Sequence, residues 1–415
     1  MRTPTRRLTA VAAAGLLACA TAVAGFVPAA TAEPDASTQQ VQQQAVVKPT
    51  LLDASNFRYD LTEMSSTMIA ALDADLPNVS LSDVANDSNR QAEFCEAEVE
   101  RRIASFCWNS GDAATSLWYP QGVTTSSDAL GVGMYDGKRI LMASWYDHAD
   151  DGIEKGVRIS IVDLTNGTSA PRYRHILLVE PTGSDMSPSF RALEREHAGG
   201  IMWYGNLLYV TDTDGGFRVF DLDHLWQVST GDESRIGRQA DGTFHAFNYK
   251  YVLPQTAKFL HRTVNDHEPI RHSSVSLDRS STPDSVIVTE YQRPSDVELG
   301  KQVRSIRVPI DYEDRYLKPA SDGVIKATEA ARIYLASVQG SAAINGKVYY
   351  SQSHGEKTAG DLHTWVAPSG AVVPHEGVLP VGPEDLSYDP IRDQMWSLSE
   401  HVGERYVYSF DAGGF

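Results

Sequence analysis

Residues 382–411 read GPEDLSYDPIRDQMWSLSEHVGERYVYSFD and show the strand pattern of this chain at its clearest. Three short runs of apolar, aromatic and β-branched residues are separated by two segments rich in Asp, Pro, Gly and charged residues. Runs of this length between turn-forming residues are typical of antiparallel β-strands. We therefore predict three consecutive strands here, named a, b and c in chain order.

Four earlier stretches repeat this three-strand pattern, and they occupy residues 119–165, 197–224, 271–311 and 338–370. Each is followed by a further apolar run that supplies a fourth strand, d, at residues 174–180, 247–253, 331–336 and 376–381. Four-stranded units that recur every roughly 40–65 residues are typical of β-propeller blades, because each unit buries its faces only against its neighbours.

The sequence therefore predicts an all-β fold, a β-propeller of five four-stranded blades. A sixth blade is the first alternative, but it would have to lie within residues 51–117, whose pattern is helical. A two-sheet β-sandwich is the second. The last unit stops after strand c at Phe415, so its d strand has to come from elsewhere, and IASFCWNS, residues 103–110, is the candidate.

The a–b–c rhythm of residues 382–411 resembles the blade pattern of the six-bladed gluconolactonase-like and NHL-type β-propellers. The resemblance covers residues 118–415 as a rhythm, and only the last blade is close. It implies a propeller with a metal site of acidic and Asn side chains at the channel mouth. Glu384 alone stands at a comparable place here, so the lactonase activity of that family does not follow.

The first 32 residues have the composition of an export signal. Three arginines within the first seven residues precede an apolar run, and residues 30–32, Ala-Thr-Ala, match a small-residue cleavage site. We predict cleavage after Ala32 and a secreted, extracellular protein, with the export route left open. No later run is apolar for long enough to predict a membrane span.

Charge and cysteine content restrict the partners. The formal net charge is −18, and loss of residues 1–32 would remove three arginines and no acid, giving −21. A surface of this sign argues against nucleic acid and anionic membranes as partners and is neutral about sugars and small molecules. The partner we predict is a small molecule or a saccharide, and we expect the protein to be a monomer. Cys95 and Cys107 remain after cleavage, and this pair in an oxidising compartment predicts a disulfide bond.

Composition also divides the chain into four parts. Residues 33–50 are rich in Gln, Ala and Pro. Residues 61–75 and 90–106, further along the chain, have helical character. The predicted parts are a signal peptide (1–32), a flexible tether (33–50), a helical N-terminal segment (51–106) and the propeller (107–415).

The stretch NDHEPIRHSSVSL, residues 265–277, approaches the zinc-protease signature H-E-x-x-H. That signature places two His on one helix face, four positions apart. His267 and His272 are five apart, and Pro269 disfavours the helical conformation at Glu268. We interpret this segment as a loop that leads into a strand.

In a propeller, the starts of the a strands meet at one mouth of the central channel, and here they carry long polar side chains: Gln121, His197, His272, Gln339 and Glu384. We predict His197, His272 and Glu384 as catalytic residues, acting as acid–base groups or, tentatively, as ligands of one divalent metal ion. Gln121 and Gln339 are predicted to orient substrate or complete the coordination. Polar residues at a wet channel mouth are equally expected in a propeller without activity.

The b-to-c corners lie on the same face and supply the remaining predicted substrate-binding residues: Tyr146, Asp147, Asp212, Glu290, His354, Glu400 and His401. Aromatic side chains could stack on a sugar ring at this face. The candidates are Trp118, Tyr146, Trp203 and Tyr291, with Trp203 equally suited to the blade core.

These observations predict a secreted propeller enzyme, a hydrolase or lyase that acts on a carbohydrate-derived or lactone substrate at the channel mouth, with metal assistance as an option. A propeller that binds carbohydrate or another ligand without catalysis is the first alternative. The second is a structural protein of the cell envelope, tethered by residues 33–60.

Overall fold

The computed structural model describes residues 47–148, 152–265 and 267–415, most of them in β-strands and their turns. The predicted signal peptide and most of the predicted tether lie outside these residues. The segment that precedes the first blade contains β1 (Thr50–Leu51), β2 (Phe57–Glu63), α1 (Ser66–Asp75), α2 (Leu81–Asn86), β3 (Arg90–Gln91), β4 (Arg102–Cys107) and α3 (Ser110–Ala114).

Blade 1 is an antiparallel sheet of β5 (Trp118–Thr125), β6 (Ile140–Asp147), β7 (Val157–Asp163) and β8 (Arg172–Ser184), with α4 (Ser126–Leu130) after β5. A further strand, β9 (Ser187–Ala192), folds back on β8. Blade 2 consists of β10 (Ile201–Tyr204), β11 (Leu207–Asp212), β12 (Gly216–Asp221) and β16 (Tyr251–Thr263). An insertion before β16 contains β13 (Trp226–Gln227), β14 (Ile236–Arg238) and β15 (Phe244–Ala246).

Blade 3 is formed by β17 (His272–Asp278), β18 (Ser285–Glu290), β19 (Arg304–Pro309) and β21 (Glu329–Arg332), with α5 (Pro294–Glu298) and β20 (Ile325–Lys326) in its connections. Blade 4 is formed by β22 (Val338–Ile344), β23 (Lys347–Gln352), β24 (Ala359–Val366) and β25 (Val372–Val381). Blade 5 contains β26 (Pro383–Asp389), β27 (Gln394–Ser399) and β28 (Tyr406–Phe410).

Strand β4 completes blade 5 and closes the ring. It pairs antiparallel with β28, from Tyr406 opposite Cys107 to Phe410 opposite Arg102. The predicted closing strand is therefore confirmed, and so is the disulfide bond between Cys95 and Cys107, which lies beside the closure.

Five blades are thus present within the described part of the chain, and the predicted all-β propeller is confirmed. The inner strands β5, β10, β17, β22 and β26 contact one another in that order, and β26 returns to β5. Apolar side chains fill the space between neighbouring blades; Trp145 of blade 1 and Trp396 of blade 5, for example, belong to one fully buried cluster.

The predicted helical segment over residues 51–106 is correct only in part. Helix α1 begins after Ser65, whose side chain accepts from the Met68 amide, because residues 57–63 pair as β2 with the outer edge of β16. The expected helix over residues 90–106 is absent from the structure as described: β3 and β4 occupy this region. The open edge of β28 satisfies the backbone of β4 and buries Phe106 completely, which outweighs a local helical preference.

Candidate functional site

Four polar side chains form a hydrogen-bonded line across the channel mouth. Gln121 Nε2 donates to Glu400 Oε2 at 2.8 Å, and Gln339 Nε2 donates to Glu384 Oε1 at 2.9 Å. A hydrogen bond between the carboxyl groups of Glu384 and Glu400 connects the two halves. The line therefore runs from blade 1 through blade 5 to blade 4, along residues that the sequence predicted for this mouth.

Irregular strand pairing aims these side chains. The register shifts between Pro120 and Val123 in β5, between Val338 and Gly340 in β22, and between Pro383 and Leu386 in β26. Gln121, Gln339 and Glu384 lie inside these three shifts. A bulge turns a side chain away from the regular alternation of a strand, which is why bulges recur beside active sites.

Glu384 and Glu400 are adjacent carboxyl groups, and the pKa of each is raised. Burial and the neighbouring charges of Glu400 and Asp385 raise the pKa of Glu384 well above its usual range, and burial also raises the pKa of Glu400. Two carboxyl groups at hydrogen-bonding distance cannot both ionise without strong repulsion, so the pair holds one proton between them. Glu384 is 1% exposed, whereas the Glu400 side chain is 17% exposed and reaches the solvent.

Aromatic rings border this pair. The Tyr146 ring lies 4.3 Å from the His197 ring and stacks on Tyr119 at 5.6 Å. Burial, with the charges of Glu400 and Glu384, raises the pKa of Tyr146, so its hydroxyl stays protonated. His197 is exposed in surface area, but the surrounding walls of the mouth still desolvate its ring and, together with Arg271, lower its pKa to about 4. His197 is therefore neutral at neutral pH.

Asp385 is a site residue that the sequence reasoning missed. Its side chain is fully buried, Oδ2 accepts from the amides of Val123 at 3.3 Å and Ile201 at 3.2 Å, and Oδ1 has no hydrogen-bond partner among the described residues. Burial raises the pKa of Asp385 well above its usual range. A signal was present: Gly122 and Gly340 follow the ring residues of blades 1 and 4, whereas blade 5 has Asp385 at that step.

His272 does not belong to the mouth. Its Nδ1 donates to the Ile270 carbonyl at 3.1 Å, and its Nε2 accepts from the Tyr59 hydroxyl at 2.8 Å. The ring is fully buried against those of Phe217 and His261, and this burial lowers its pKa well below the usual range. The structure therefore assigns it to the core between blades 2 and 3.

The tentative metal ligands His197, His272 and Glu384 are consequently not brought together. Both ring nitrogens of His272 are used, so it has no lone pair left for an ion. Within the ranges that the structure describes, no group of three or more His, Cys, Asp or Glu side chains could hold a metal ion.

Three of the corner residues contact polar side chains of their own blades. In blade 3, the Glu290 carboxylate accepts hydrogen bonds from Arg304 Nε at 2.6 Å and Nη2 at 2.7 Å. In blade 2, an Asp212 carboxylate oxygen lies 2.7 Å from Lys258 Nζ. In blade 4, His354 Nε2 lies 2.8 Å from Asp361 Oδ2. These contacts brace the blade edges and do not join the Glu384–Glu400 pair.

The remaining corner residues lie at the end of β6 in blade 1 and just after β27 in blade 5. Asp147 Oδ2 accepts from the Lys155 amide at 2.6 Å, and His401 Nδ1 lies 3.7 Å from Glu400 Oε1. Arg405, fully buried beneath the mouth, donates from Nε to the Glu400 carbonyl at 2.7 Å. His401 therefore borders the carboxyl pair, and Arg405 positions the Glu400 backbone.

A second arrangement, Ser160–His175–Asp112, has the residue types of a hydrolytic triad. Ser160 Oγ lies 3.0 Å from His175 Nδ1, and His175 Nε2 lies 3.1 Å from Asp112 Oδ2. Ser160 is fully buried, and its hydroxyl oxygen already accepts from Trp145 Nε1 at 2.8 Å. No substrate carbonyl can reach this oxygen, so the arrangement stabilises the core of blade 1.

Comparisons with known proteins give no family. No protein-family model and no curated protein matches the sequence. Among solved structures, a GH43_1 enzyme from Xanthomonas citri matches with a TM-score of 0.32 and 9% identity, over 80% of this chain and 92% of that chain. The PQQ-bound aldose sugar dehydrogenase from Streptomyces coelicolor matches with a TM-score of 0.35 and 11% identity, over 78% and 96%.

The β-propeller domain of Myceliophteria thermophila Cps50 (Swd1) also gives a TM-score of 0.35 and 11% identity, over 76% of this chain and 99% of that chain. At these identities and TM-scores the likenesses carry no conclusion about a reaction or a substrate. The propeller described above follows from the sheets of this chain itself.

No helix in the described ranges is long and apolar enough to cross a membrane.

Proposed function

We propose that this chain is an exported propeller enzyme that performs acid–base chemistry at its channel mouth, as a hydrolase or lyase on a carbohydrate-derived or lactone substrate. The observation that carries the proposal is the proton-sharing pair of Glu384 and Glu400, one buried and one open to solvent. Such perturbed carboxyl pairs in a cleft are typical of catalytic sites.

The pair can supply an acid and a base together. With one shared proton, the ionised carboxylate accepts a proton from a water or substrate hydroxyl, and the neutral carboxyl donates to a developing oxyanion or leaving oxygen. Gln121 and Gln339 hold the two carboxyl groups in place, and the Tyr146 hydroxyl is a further donor beside them.

The spacing of the two carboxyl groups favours some substrates over others. Glycosidases place their two carboxyl groups about 5–9.5 Å apart, on opposite sides of the scissile bond. Glu384 and Glu400 are hydrogen-bonded to each other and therefore act from one side. This arrangement favours addition of water to a lactone or ester carbonyl, or a same-face elimination, over displacement at an anomeric carbon.

The divalent ion predicted from the sequence does not fit the residues at the mouth. His272 is absent from the site, and the shared proton lies where an ion would have to bind the two carboxyl groups.

A binding propeller without catalysis is the second candidate, and the rings at the mouth favour it. Tyr119, Tyr146, His148 and His197 lie in a continuous series with centroid separations between 4.3 and 5.6 Å. Aromatic faces of this kind stack on sugar rings regardless of any reaction.

The test is turnover of a panel of aldonolactones and uronic-acid oligosaccharides by the parent protein and by Glu400→Gln. We expect the substitution to lower kcat/KM by at least about 100-fold, because general acid–base groups contribute about 10²–10⁴. Glu268→Gln is the matched control, because Glu268 is an exposed glutamate whose carboxylate pairs with Lys301 away from the Glu384–Glu400 pair. Binding of a sugar with no turnover by the parent would replace the enzyme with the binding propeller.

A further inference from the structure

A lateral pocket lies at the outer side of blade 1, apart from the channel mouth. It has a volume of about 270 Å³ and is lined by β3, the start of β5, β8 and residues 247–250 of the blade 2 insertion. At least four separate stretches of the chain therefore build it. The volume is just below the usual range for drug-sized ligand sites, about 300–1,000 Å³, and suits a ligand the size of one sugar or a small anion.

Two carboxylates beside this lateral pocket each form ion pairs with two cationic side chains. Asp87 Oδ2 accepts from Lys250 Nζ at 2.7 Å and lies 3.1 Å from Arg174 Nη1. Asp112 receives Arg90 Nε at 3.0 Å and Arg158 Nη2 at 3.1 Å. Each group of three charges therefore keeps one positive charge in excess.

The remaining charged residues of the lining do not cancel this surplus. Lys155 and Glu233 also line the pocket and offset each other in formal charge. His175 adds no charge, because burial and the nearby Arg158 lower its pKa to about 3. On a chain whose net charge is −18, a pocket with a positive surplus is a local reversal of sign.

The wall contributed by the blade 2 insertion is held in a strained conformation. Phe247 and Asn248 have positive φ angles of 47° and 69°. This conformation is rare for a bulky side chain and is often found at binding sites. The Phe247 amide donates to Arg235 O at 2.7 Å, and Asn248 Oδ1 accepts from the Gly231 amide at 2.7 Å, so both residues are fixed in place.

Aromatic rings complete the lining. The rings of Trp118 and Tyr249 meet edge to face at 6.3 Å, and the Arg158 guanidinium lies 4.5 Å above the Trp118 ring. The lateral pocket therefore combines cationic donors with an aromatic wall.

We propose that the lateral pocket binds the oxyanion group of a small ligand, either the carboxylate of an acidic sugar or a free phosphate. Arg174 and Lys250 supply the cationic donors at its solvent side, and guanidinium groups pair well with carboxylate and phosphate oxygens. The Trp118 and Tyr249 rings would contact the ring of an acidic sugar. This site goes beyond the chemistry proposed for the channel mouth and does not depend on it.

Calorimetric titration of the purified protein tests the proposal, with glucuronate, inorganic phosphate and, as the neutral control, glucose. We expect millimolar or tighter binding of an oxyanion that weakens as salt is added, and none of glucose. Tighter binding of glucuronate than phosphate would identify an acidic sugar, and the reverse order a free phosphate. Absence of binding for both anions, or equal binding of glucose, would overturn the proposal.

Substitutions locate the site. Lys250→Gln should weaken the anion by about tenfold or more, the effect of one charge-assisted hydrogen bond. Lys138→Gln is the matched control: this lysine also pairs with one aspartate at 2.7 Å but lies outside the lateral pocket. Lys250→Arg keeps the positive charge and should bind the anion about as tightly as the parent does. This variant keeps the proposal testable if Lys250→Gln does not fold. Equal affinity of Lys250→Gln and the parent would contradict the assignment.

Discussion

The two glutamates at the mouth differ mainly in exposure. Glu384 is enclosed and accepts a hydrogen bond from Gln339, whereas Glu400 reaches solvent and accepts a hydrogen bond from Gln121. Because the buried carboxyl is the harder one to ionise, the shared proton resides mainly on Glu384. In the proposed reaction, Glu400 would be the base that meets the substrate, and Glu384 would supply its proton through Glu400.

Asp128, in helix α4 of blade 1, provides a measurable pH prediction. It is 3% exposed and accepts from the hydroxyls of Thr124 at 2.7 Å and Ser387 at 2.8 Å, yet burial raises its pKa from 3.8 to about 6. The folded state therefore holds this proton more tightly than the unfolded state, so stability falls as pH rises from about 4 to 6. The loss amounts to about 2–3 kcal/mol.

Asp128→Asn removes this titration while its amide oxygen can still accept from Thr124 and Ser387. We expect the free energy of unfolding of the variant to change less than that of the parent between pH 4 and 6, measured by urea denaturation. A variant with the same slope as the parent would show that Asp128 is ionised in the folded protein throughout.

At the level of strands, the inner ring of the propeller depends on close backbone contact between blades. A Cβ atom on Gly340 would lie 2.6 Å from the Glu384 carbonyl oxygen and 2.7 Å from the Asp385 Cα. Both distances are shorter than real contacts, and both atoms belong to backbone. A side chain here has to push β26 away from β22.

Gly340→Ala should therefore displace Glu384 and lower both stability and any activity of the mouth. We expect a decrease in unfolding free energy of about 1–3 kcal/mol, the usual cost of overpacking. Gly111→Ala is the control, because its Cβ would meet only Asn109 Oδ1, at an ordinary 3.7 Å. Thermal unfolding of both variants, followed by circular dichroism, measures the difference.

The closing strand provides a second prediction at this scale. The disulfide joins Cys107, at the end of β4, to Cys95, 12 residues earlier. A loop of this length is worth about 2–3 kcal/mol through restriction of the unfolded chain. We expect the double substitution Cys95→Ser and Cys107→Ser to lower stability by this amount, seen as a lower urea midpoint. No change in midpoint would mean that β4 is held by pairing with β28 alone.

Across the whole molecule, stability depends on the ring being closed. Strands β1 and β2 extend the sheets of blades 3 and 2, and β4 completes blade 5. Because β3 also pairs with β8 of blade 1, the segment before blade 1 contributes strands to four blades.

A chain that begins at residue 108 should fail to fold cooperatively, because blade 5 would expose the edge of β28 and the buried face of its core. A chain that begins at residue 47 is the control and should unfold in one transition. Size-exclusion chromatography and thermal unfolding measure both. Cooperative folding of the shorter chain would show that the ring tolerates an open blade.

The sequence by itself determined the repeated strand rhythm, the five blades, the closing strand, the disulfide pair and the glutamine and glutamate residues at the mouth. These follow from local periodicity and from position within a repeat, both of which can be read along the chain. Only the tertiary structure placed His272 beside Tyr59, 213 residues away, buried Asp385 against Val123 and Ile201, and built the lateral pocket from at least four segments. Such features depend on contacts between distant residues and on burial, and no local pattern contains that information.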